Sequence, residues 1–500
     1  MTQATTERGA VPVNQKLDPP ARGLRANALN LGGGIAMALG SAGPTASIAL
    51  TLAAITAANS FASPITILIC FVPMLGIAMA FRGLNRWSVN CGATYEWAGR
   101  AISPYFGFLS GWLILLAYYI GTISIVLPIG PYTMDLVGGS QDSTLAQAII
   151  GAAALAIVTG FAIIGIRASA RVSWTLIVIE YLVITVLAIV CLVAVFGGNS
   201  HSEPFHWSWF SWDTLGGGSG LVAGFLSAVY MFSGWDTAAL VNEETQHARV
   251  TPGTAVVLSV CVLGFMYAFF TFAFQGAVKP DELQAHGENA LSYIAQVLSG
   301  SALAKLVVLA VLLSAIGSTL GTIVSGARIT FAMGASRVLP PALARTDPRF
   351  KTPIVATLVV AVFAFVVLWP YTLGSSSVQD SFDTVVSLTG LLFGLFYAAT
   401  GIAMGVYYRK LAARSARGLF ELAIFPVASA AFLLYVSYKA VGDLGGWGGK
   451  SLVSLYILLG IGLAIMLYSR LHERSTYFDQ PIEAYEPTDH RVTEQAAAPS

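Results

Sequence analysis

The sequence predicts an all-α, polytopic membrane protein with about twelve transmembrane helices, and three observations carry that prediction. Of 500 residues, 56% are hydrophobic and only 10% are charged, where a soluble domain carries about 25% charged residues; mean hydropathy is +0.73. Long stretches hold no charge at all. Basic residues recur in every second connection. A fold in water needs a charged surface, and 26 Lys and Arg with 25 Asp and Glu cannot cover one of this size. The solvent around most of the chain is lipid.

The uncharged runs place the spans. Residues 26–81 contain no Asp, Glu, Lys or Arg, and one span needs about 20 residues. Two helices are expected there, near 29–57 and 63–81, with the turn at Asn59, Ser60, Ser63 and Pro64. Residues 101–134 are also uncharged and predict one long helix with Pro128 and Pro131 near its exit. Further spans are expected near 145–164, 172–197, 218–241, 253–276, 303–329, 353–373, 384–408, 421–439 and 451–469. The fifth contains a single charge, Glu180, and the sixth a single charge, Asp236. Short surface helices are expected in 278–302.

Charge asymmetry then predicts orientation. Arg82, Arg86 and Arg100 follow the second span, Arg167 and Arg171 the fourth, and Arg249 the sixth. Arg328, Arg337, Arg345, Arg349 and Lys351 surround the connection after the eighth; Arg409, Lys410, Arg414 and Arg417 follow the tenth. The opposite loops carry Lys279, Lys439 and Lys450, and one holds Trp207, Trp209, Trp212 and Asp213. This pattern predicts a multi-pass protein of the cytoplasmic (inner) membrane with both termini in the cytoplasm. A polar N-terminal tail, 1–25, with Arg8, Lys16, Arg22 and Arg25, shows no removable signal peptide. The span-bearing domain is expected over 26–470, with a weakly ordered cytoplasmic tail over 471–500.

Composition also excludes functions. A net charge of +1 gives no electrostatic basis for binding nucleic acid. Cys70, Cys91, Cys191 and Cys261 have neither disulfide nor metal spacing, and read as small hydrophobes. No P-loop, metal motif or nucleophile constellation is present, so neither an enzyme nor a cofactor is expected.

Two spans are built to break. The first contains Ser41-Ala42-Gly43-Pro44-Thr45-Ala46-Ser47 near its middle, and proline beside glycine interrupts a helix. The sixth contains Ser233-Gly234-Trp235-Asp236. In lipid, freed backbone groups need a polar partner. Five spans separate the breaks, a spacing that suits two inverted five-helix units over about 29–200 and 215–410 with a site between them. The alternative is a pair of packed kinks. Exposed amides where the helices restart would suit a carboxylate, and carbonyl ends would suit an ammonium group.

An ionisable group inside a span costs about 2.5–3.5 kcal/mol, so Glu180 needs water, a partner or a proton. It is expected to act in coupling or gating, against the alternative of a protonated structural hydrogen bond. Asp236 either lines the pathway or caps the restarted helix. Glu243 and Glu244 are expected to pair with arginines such as Arg249. Ser318 and Thr319, beside Gly317 and Gly321, either allow close helix packing or meet an ion beside the first span. Tyr118, Tyr119 and Tyr397 are candidates to line or close a pocket.

These features resemble the amino acid–polyamine–organocation (APC) family of secondary transporters over roughly residues 24–470. The resemblance rests on Gly40-Ser41-Ala42-Gly43-Pro44-Thr45; on Asn90-Cys91-Gly92-Ala93-Thr94-Tyr95-Glu96-Trp97 followed by Gly107-Phe108-Leu109-Ser110-Gly111-Trp112; on Phe232-Ser233-Gly234-Trp235-Asp236 with Glu243-Glu244-Thr245; and on Ala327-Arg328, Phe331-Ala332-Met333-Gly334 and Leu339-Pro340. It implies two inverted repeats plus two further helices, about 420–470. It implies an amino acid permease whose substrate carboxylate meets Ala42, Gly43, Thr45, Ala46 and Ser47, and whose substrate amine meets Ser233, Gly234, Trp235 and Asp236. Glu180 stands where some proton-coupled relatives carry a lysine, and Gly43-Pro44 replaces a longer glycine-rich run. The expected partners are an amino acid or related amine, a coupling proton and membrane lipid; no oligomeric state is read. A polyamine or other cationic-amine permease and a non-transporting sensor or accessory protein are the alternative functions.

Overall fold

The computed structural model describes residues 22–139, 143–211, 217–373, 378–473 and 475–485. The tail with Arg8 and Lys16, the loop residues Trp212 and Asp213, and 486–500 lie outside the described residues. Among those described, all regular elements are helices, with an isolated bridge between Leu29 and Thr245 as the only strand-like pairing.

In chain order the helices are α1 (Leu31–Ala42), α2 (Pro44–Asn59), α3 (Ser63–Trp87), α4 (Thr94–Ala101), α5 (Pro104–Val126), α6 (Ile129–Val137), α7 (Thr144–Ile164) and α8 (Ile166–Gly197). There follow α9 (Gly217–Met231), α10 (Thr237–Leu240), α11 (Thr251–Gln275), α12 (Pro280–Ala285), α13 (Ala290–Ser299), α14 (Ser301–Ala335), α15 (Ile354–Leu373) and α16 (Val378–Tyr407). Two short turns, α17 (Arg409–Ala412) and α18 (Ala416–Leu419), lead to α19 (Phe425–Asp443) and α20 (Lys450–Leu471). Ten helical segments among the described residues are long and apolar enough to cross a membrane. The other two expected spans are helical as well, as α9 with α10 and as α15.

Large apolar side chains such as Ile157, Val193, Phe265, Val366 and Leu467 are exposed, as a lipid-facing surface requires. The polar side chains turn inward: most helical threonines, among them Thr51, Thr122 and Thr389, donate to a carbonyl one turn back. The long run at 101–134 is divided where the sequence reading drew one helix. Ser103 caps α5 by accepting the Phe106 N–H, with Pro104 as the first helical residue, the arrangement that opens a helix. Pro128 then ends the regular run before α6. The surface helices expected in 278–302 are α12 and α13.

One face of the molecule, called here the terminal face, carries the start of α1 and the 475–485 segment. There Arg328 and Glu244 form an ion pair with both side chains fully buried, Nε to Oε2 at 3.0 Å and Nη2 to Oε1 at 3.2 Å. This sharpens two expectations. Arg328, in the last turn of the expected span, lies well inside α14, which runs six residues past the expected end, so it is buried within a helix and is the arginine that Glu244 takes. Glu243 and Glu244 do not pair with Arg249: Glu243 accepts the Cys91 N–H at 3.0 Å, while Arg249 donates to the carbonyls of Arg86 and Trp87. Asn242 joins the same layer by donating to Asn85 and to the Asn90 carbonyl.

The segment after α20 is also unlike its expectation. It runs as an ordered strap across the terminal face. Tyr477 stacks on Tyr95 with ring centroids 4.5 Å apart and donates to the Tyr95 carbonyl at 2.9 Å. Ser475 donates to the Ser336 carbonyl, Glu483 takes both Arg100 Nη2 contacts at 2.7 and 2.8 Å, and the Tyr485 N–H reaches the Tyr407 carbonyl. Polarity alone suggested a loose tail; Tyr477, Phe478 and Tyr485 are buried and supply the apolar area that holds it. Tyr477→Ala is expected to cost about 3 kcal/mol, as for loss of a buried aromatic ring, and Tyr477→Phe about 1 kcal/mol, as for one hydrogen bond. Thermal unfolding midpoints in detergent check the order.

Candidate functional site

The first break is sharp. α1 ends at Ala42, Gly43 adopts a left-handed conformation (φ 51°), and α2 restarts at Pro44. Gly43 is needed for φ and for space, since a Cβ there would lie 2.8 Å from the Ser318 Cβ. Proline brings no N–H to the restart. The remaining groups are taken by side chains and by the break itself. Ser318 donates to the Ser41 carbonyl at 2.6 Å, and Ala46 N–H donates to Ser314 Oγ at 3.1 Å. Ser47 Oγ donates to the Ala42 carbonyl at 2.7 Å, and Ser47 N–H to the Gly43 carbonyl at 2.8 Å. The amides expected to stand open at the restart are therefore engaged at Ala46 and Ser47. Ser314 and Ser318 sit one turn apart on α14, so a single helix face stitches the break.

The second break lies against the first. α9 ends at Met231 and α10 begins at Thr237; Gly234 between them has φ 93°, and a Cβ on it would lie 2.8 Å from the Ser41 carbonyl oxygen. Asp236 occupies the cap position of α10, but its side chain does not cap the helix. Tyr118 donates to Asp236 Oδ2 and Tyr397 to Oδ1, both at 2.7 Å. Trp235 stacks on Tyr397 with centroids 4.8 Å apart and meets Phe81 edge-on at 5.3 Å. Thr237 and Ser325 share a hydrogen bond at 2.8 Å.

A narrow cavity of about 20 Å³ lies between the breaks, room for about one water. Ala42, Gly43, Ala46 and Ser47 line it from the first break, and Ser233 and Gly234 from the second. Gly121, Ser124 and Ile125 on α5, Ser318 and Thr322 on α14, Thr389 and Phe393 on α16, and Tyr230 on α9 complete the wall with Ser41 and Leu50. No charged side chain lines it. Tyr118 precedes the lining residues on α5, which runs away from the terminal face; Tyr397 follows them on α16, which runs back. Asp236 and its two tyrosines thus form a layer between the cavity and the terminal face, rather than part of its wall.

Thr45 turns away from the cavity toward Glu180. The Glu180 side chain, on α8 and 1% exposed, interacts with Thr45 and Ser314, and its Oε2 has no hydrogen-bond partner. Of the Ser318–Thr319 pair, Ser318 reaches the break while Thr319 donates to the Ala315 carbonyl in its own helix. Tyr119 shares a hydrogen bond with Thr330, away from both breaks. Ser314, Ser124, Tyr230 and Thr389 were not singled out in the sequence. For Ser314 a signal existed, because it stands four residues before Ser318 and shares its face.

A family profile described as amino acid permease matches residues 29–464. The chain belongs to that family. Among curated relatives, the permease is 27% identical over 249 residues to the large neutral amino acids transporter small subunit 2 of Mus musculus, covering 50% of this chain and 43% of that one. It is 27% identical over 273 residues to the serine/threonine exchanger SteT of Bacillus subtilis (strain 168), covering 53% and 58%. It is 21% identical over 370 residues to the low-affinity putrescine importer PlaP of Escherichia coli (strain K12), covering 72% and 76%. The permease thus spans about half the length of the first of these relatives.

Asp236→Asn keeps the size of the side chain and removes one acceptor, so one buried tyrosine hydroxyl loses its acceptor and the other keeps only a neutral one. The expected loss is about 1.5–3 kcal/mol, the range for a hydrogen bond to a charged group, read as a lower thermal midpoint; Tyr118→Phe should shift it in the same direction.

Proposed function

We propose that this permease is a secondary active transporter of amino acids in the cytoplasmic membrane, with both termini in the cytoplasm. It works by alternating access about the cavity between the two breaks. One observation carries the reading: two interrupted helices abut through Gly234 and the Ser41 carbonyl, at a cavity lined by hydroxyls and apolar groups with no charged side chain. A zwitterion suits such a place, because the carbonyl end of α1 favours its ammonium group and the restart of α2 favours its carboxylate. In this conformation the buried Arg328–Glu244 pair and the Asp236 layer close the terminal face. Admitting a substrate requires the cavity to widen, and releasing it inward requires those contacts to part. Two inverted five-helix units over about 29–200 and 215–410 supply the moving and fixed parts.

Glu180 carries the coupling proton. Its carboxylate touches Thr45, in the first turn of α2, and Ser314, which accepts the Ala46 N–H where α2 restarts. A change in its charge acts directly on the broken helix.

A second reading, uptake of a diamine or other cationic amine, is favoured by the two buried carboxylates, Glu180 and Asp236, and by the match to a putrescine importer. The uncharged cavity wall favours the amino acid.

Purified protein in sealed vesicles separates these readings, with labelled amino acids and diamines offered under independently set proton and sodium gradients. The expected result is proton-driven accumulation of an amino acid, lost when its carboxylate is removed. Glu180→Gln is expected to abolish pH-driven accumulation while exchange of internal for external substrate persists. Accumulation and pH dependence unchanged in that variant would remove Glu180 from coupling; binding without any flux or exchange would make the protein a sensor.

A further inference from the structure

α11 carries a line of buried polar groups with nothing to bond. Tyr267 OH, Thr271 Oγ1 and both Gln275 amide atoms lack hydrogen-bond partners, and all three residues are fully buried. They stand four residues apart, so they share one helix face and span about 12 Å along the axis. Thr271 is conspicuous because threonines in neighbouring helices, such as Thr51, Thr56 and Thr122, all donate to a carbonyl one turn back, whereas its hydroxyl does not. A buried polar atom left unpaired costs about 1–3 kcal/mol. Four such atoms in register on one face point to water, which typically makes about three hydrogen bonds at such sites.

The line has direction. Its inner end is Tyr267, which interacts with Ser47 at the first break and with Glu180. Tyr181, beside Glu180, also has a free hydroxyl and is coupled to both Glu180 and Tyr267. Glu180 Oε2 and Thr45 Oγ1 are unpartnered as well. Its outer end is Gln275, the last residue of α11 on the side away from the terminal face, four residues before exposed Lys279. Toward the terminal face Leu263 interrupts it, one turn before Tyr267, with Val260 behind and both side chains buried; one turn further, Ser259 Oγ is again buried and unpartnered.

We propose that the α11 face bearing Tyr267, Thr271 and Gln275 holds a file of water that carries protons between the outer side and Glu180. The proposal rests on the reading of Glu180 as the coupling group, and adds the route by which it exchanges its proton. The groups facing Glu180 are Thr45 from α2, Ser314 from α14 and Tyr267 from α11, with Tyr181 from its own helix. α1 and α7 contain no titratable residue, and in α13 the one tyrosine, Tyr293, donates to Glu282; on α14 the charged residues, Lys305 and Arg328, stand nine and fourteen residues from Ser314, and Arg328 is paired with Glu244. No fixed charge therefore competes for the proton. Water relays it as a Grotthuss step: each water accepts one proton and releases another, Tyr267 holds the inner water in place, and the Glu180 carboxyl takes or gives the last. The aliphatic stretch at Val260 and Leu263 keeps the file closed toward the terminal face, which prevents a leak across the membrane.

The test uses Thr271→Val and Gln275→Leu in the full chain, reconstituted in vesicles with a trapped pH dye. Substrate-driven proton movement is compared with substrate exchange at equal pH on both sides. Both variants are expected to slow proton movement by about tenfold, the effect of losing one hydrogen bond of the relay, and to leave exchange at saturating substrate unchanged. Proton movement at the parent rate in both variants would overturn the proposal. So would a raised thermal midpoint in Thr271→Val with proton movement unimpaired, the result for an unhydrated hydroxyl in dry packing. Glu180→Gln, run alongside, separates the two claims. If it loses pH-driven transport while the α11 variants keep theirs, the route is wrong and the carrier stands; if it retains pH-driven transport, the carrier itself is wrong.

Discussion

A backbone group opened inside lipid must find a partner within the protein, and the break at Gly43 shows what that demands. Ser41 C=O, Ala42 C=O and Ala46 N–H are each met by a serine: Ser318, Ser47 and Ser314. Those serines in turn fix where α14 lies against α1 and α2. Gly234 then packs on the same carbonyl from the other side, so the two breaks are held in register through one backbone oxygen. The cavity exists because this junction is too crowded with backbone for side chains to fill it.

The same constraint orders the charges. Among described residues, the buried ionic groups near the centre sit in three layers along the membrane normal: Glu180 beside the first break, Asp236 under two tyrosines, and Glu244 against Arg328 at the terminal face. Each layer is satisfied differently. Glu244 has a full counter-charge, Asp236 has two neutral donors, and Glu180 has only hydroxyl neighbours and one oxygen with no partner. The gradient of compensation runs from complete to poor. A buried pair broken on one side is expensive, which suits Arg328 and Glu244 to a closed state, whereas a poorly compensated carboxyl is free to change its protonation.

The architecture was legible because its signals are strong and local. Uncharged runs gave the spans, and Gly43-Pro44 with Ser233-Gly234 gave both breaks. What escaped the sequence depends on reach between distant segments. Nothing near Asp236 in sequence indicates that Tyr118 and Tyr397 would take its carboxylate away from the helix end. Arg328, at the end of its expected span, carries no sign in sequence that Glu244 is its partner. Arg249 is nearer in sequence to Glu244 than Arg328 is, yet it faces the carbonyls closing α3. The strap at 475–485 reads as loose from its polar residues, when Ser475, Tyr477, Phe478, Glu483 and Tyr485 do the anchoring.

That strap bears on biogenesis. It is synthesised after every helix it touches, so the grooves that receive Tyr477 and Tyr485, beside Tyr95 and Tyr407, stay open until translation has passed them. Inserted but unfinished chains therefore display aromatic surface to the aqueous compartment, and docking of the strap conceals it. Docking of the strap thus comes after insertion of the helices it covers and buries the rings they leave exposed.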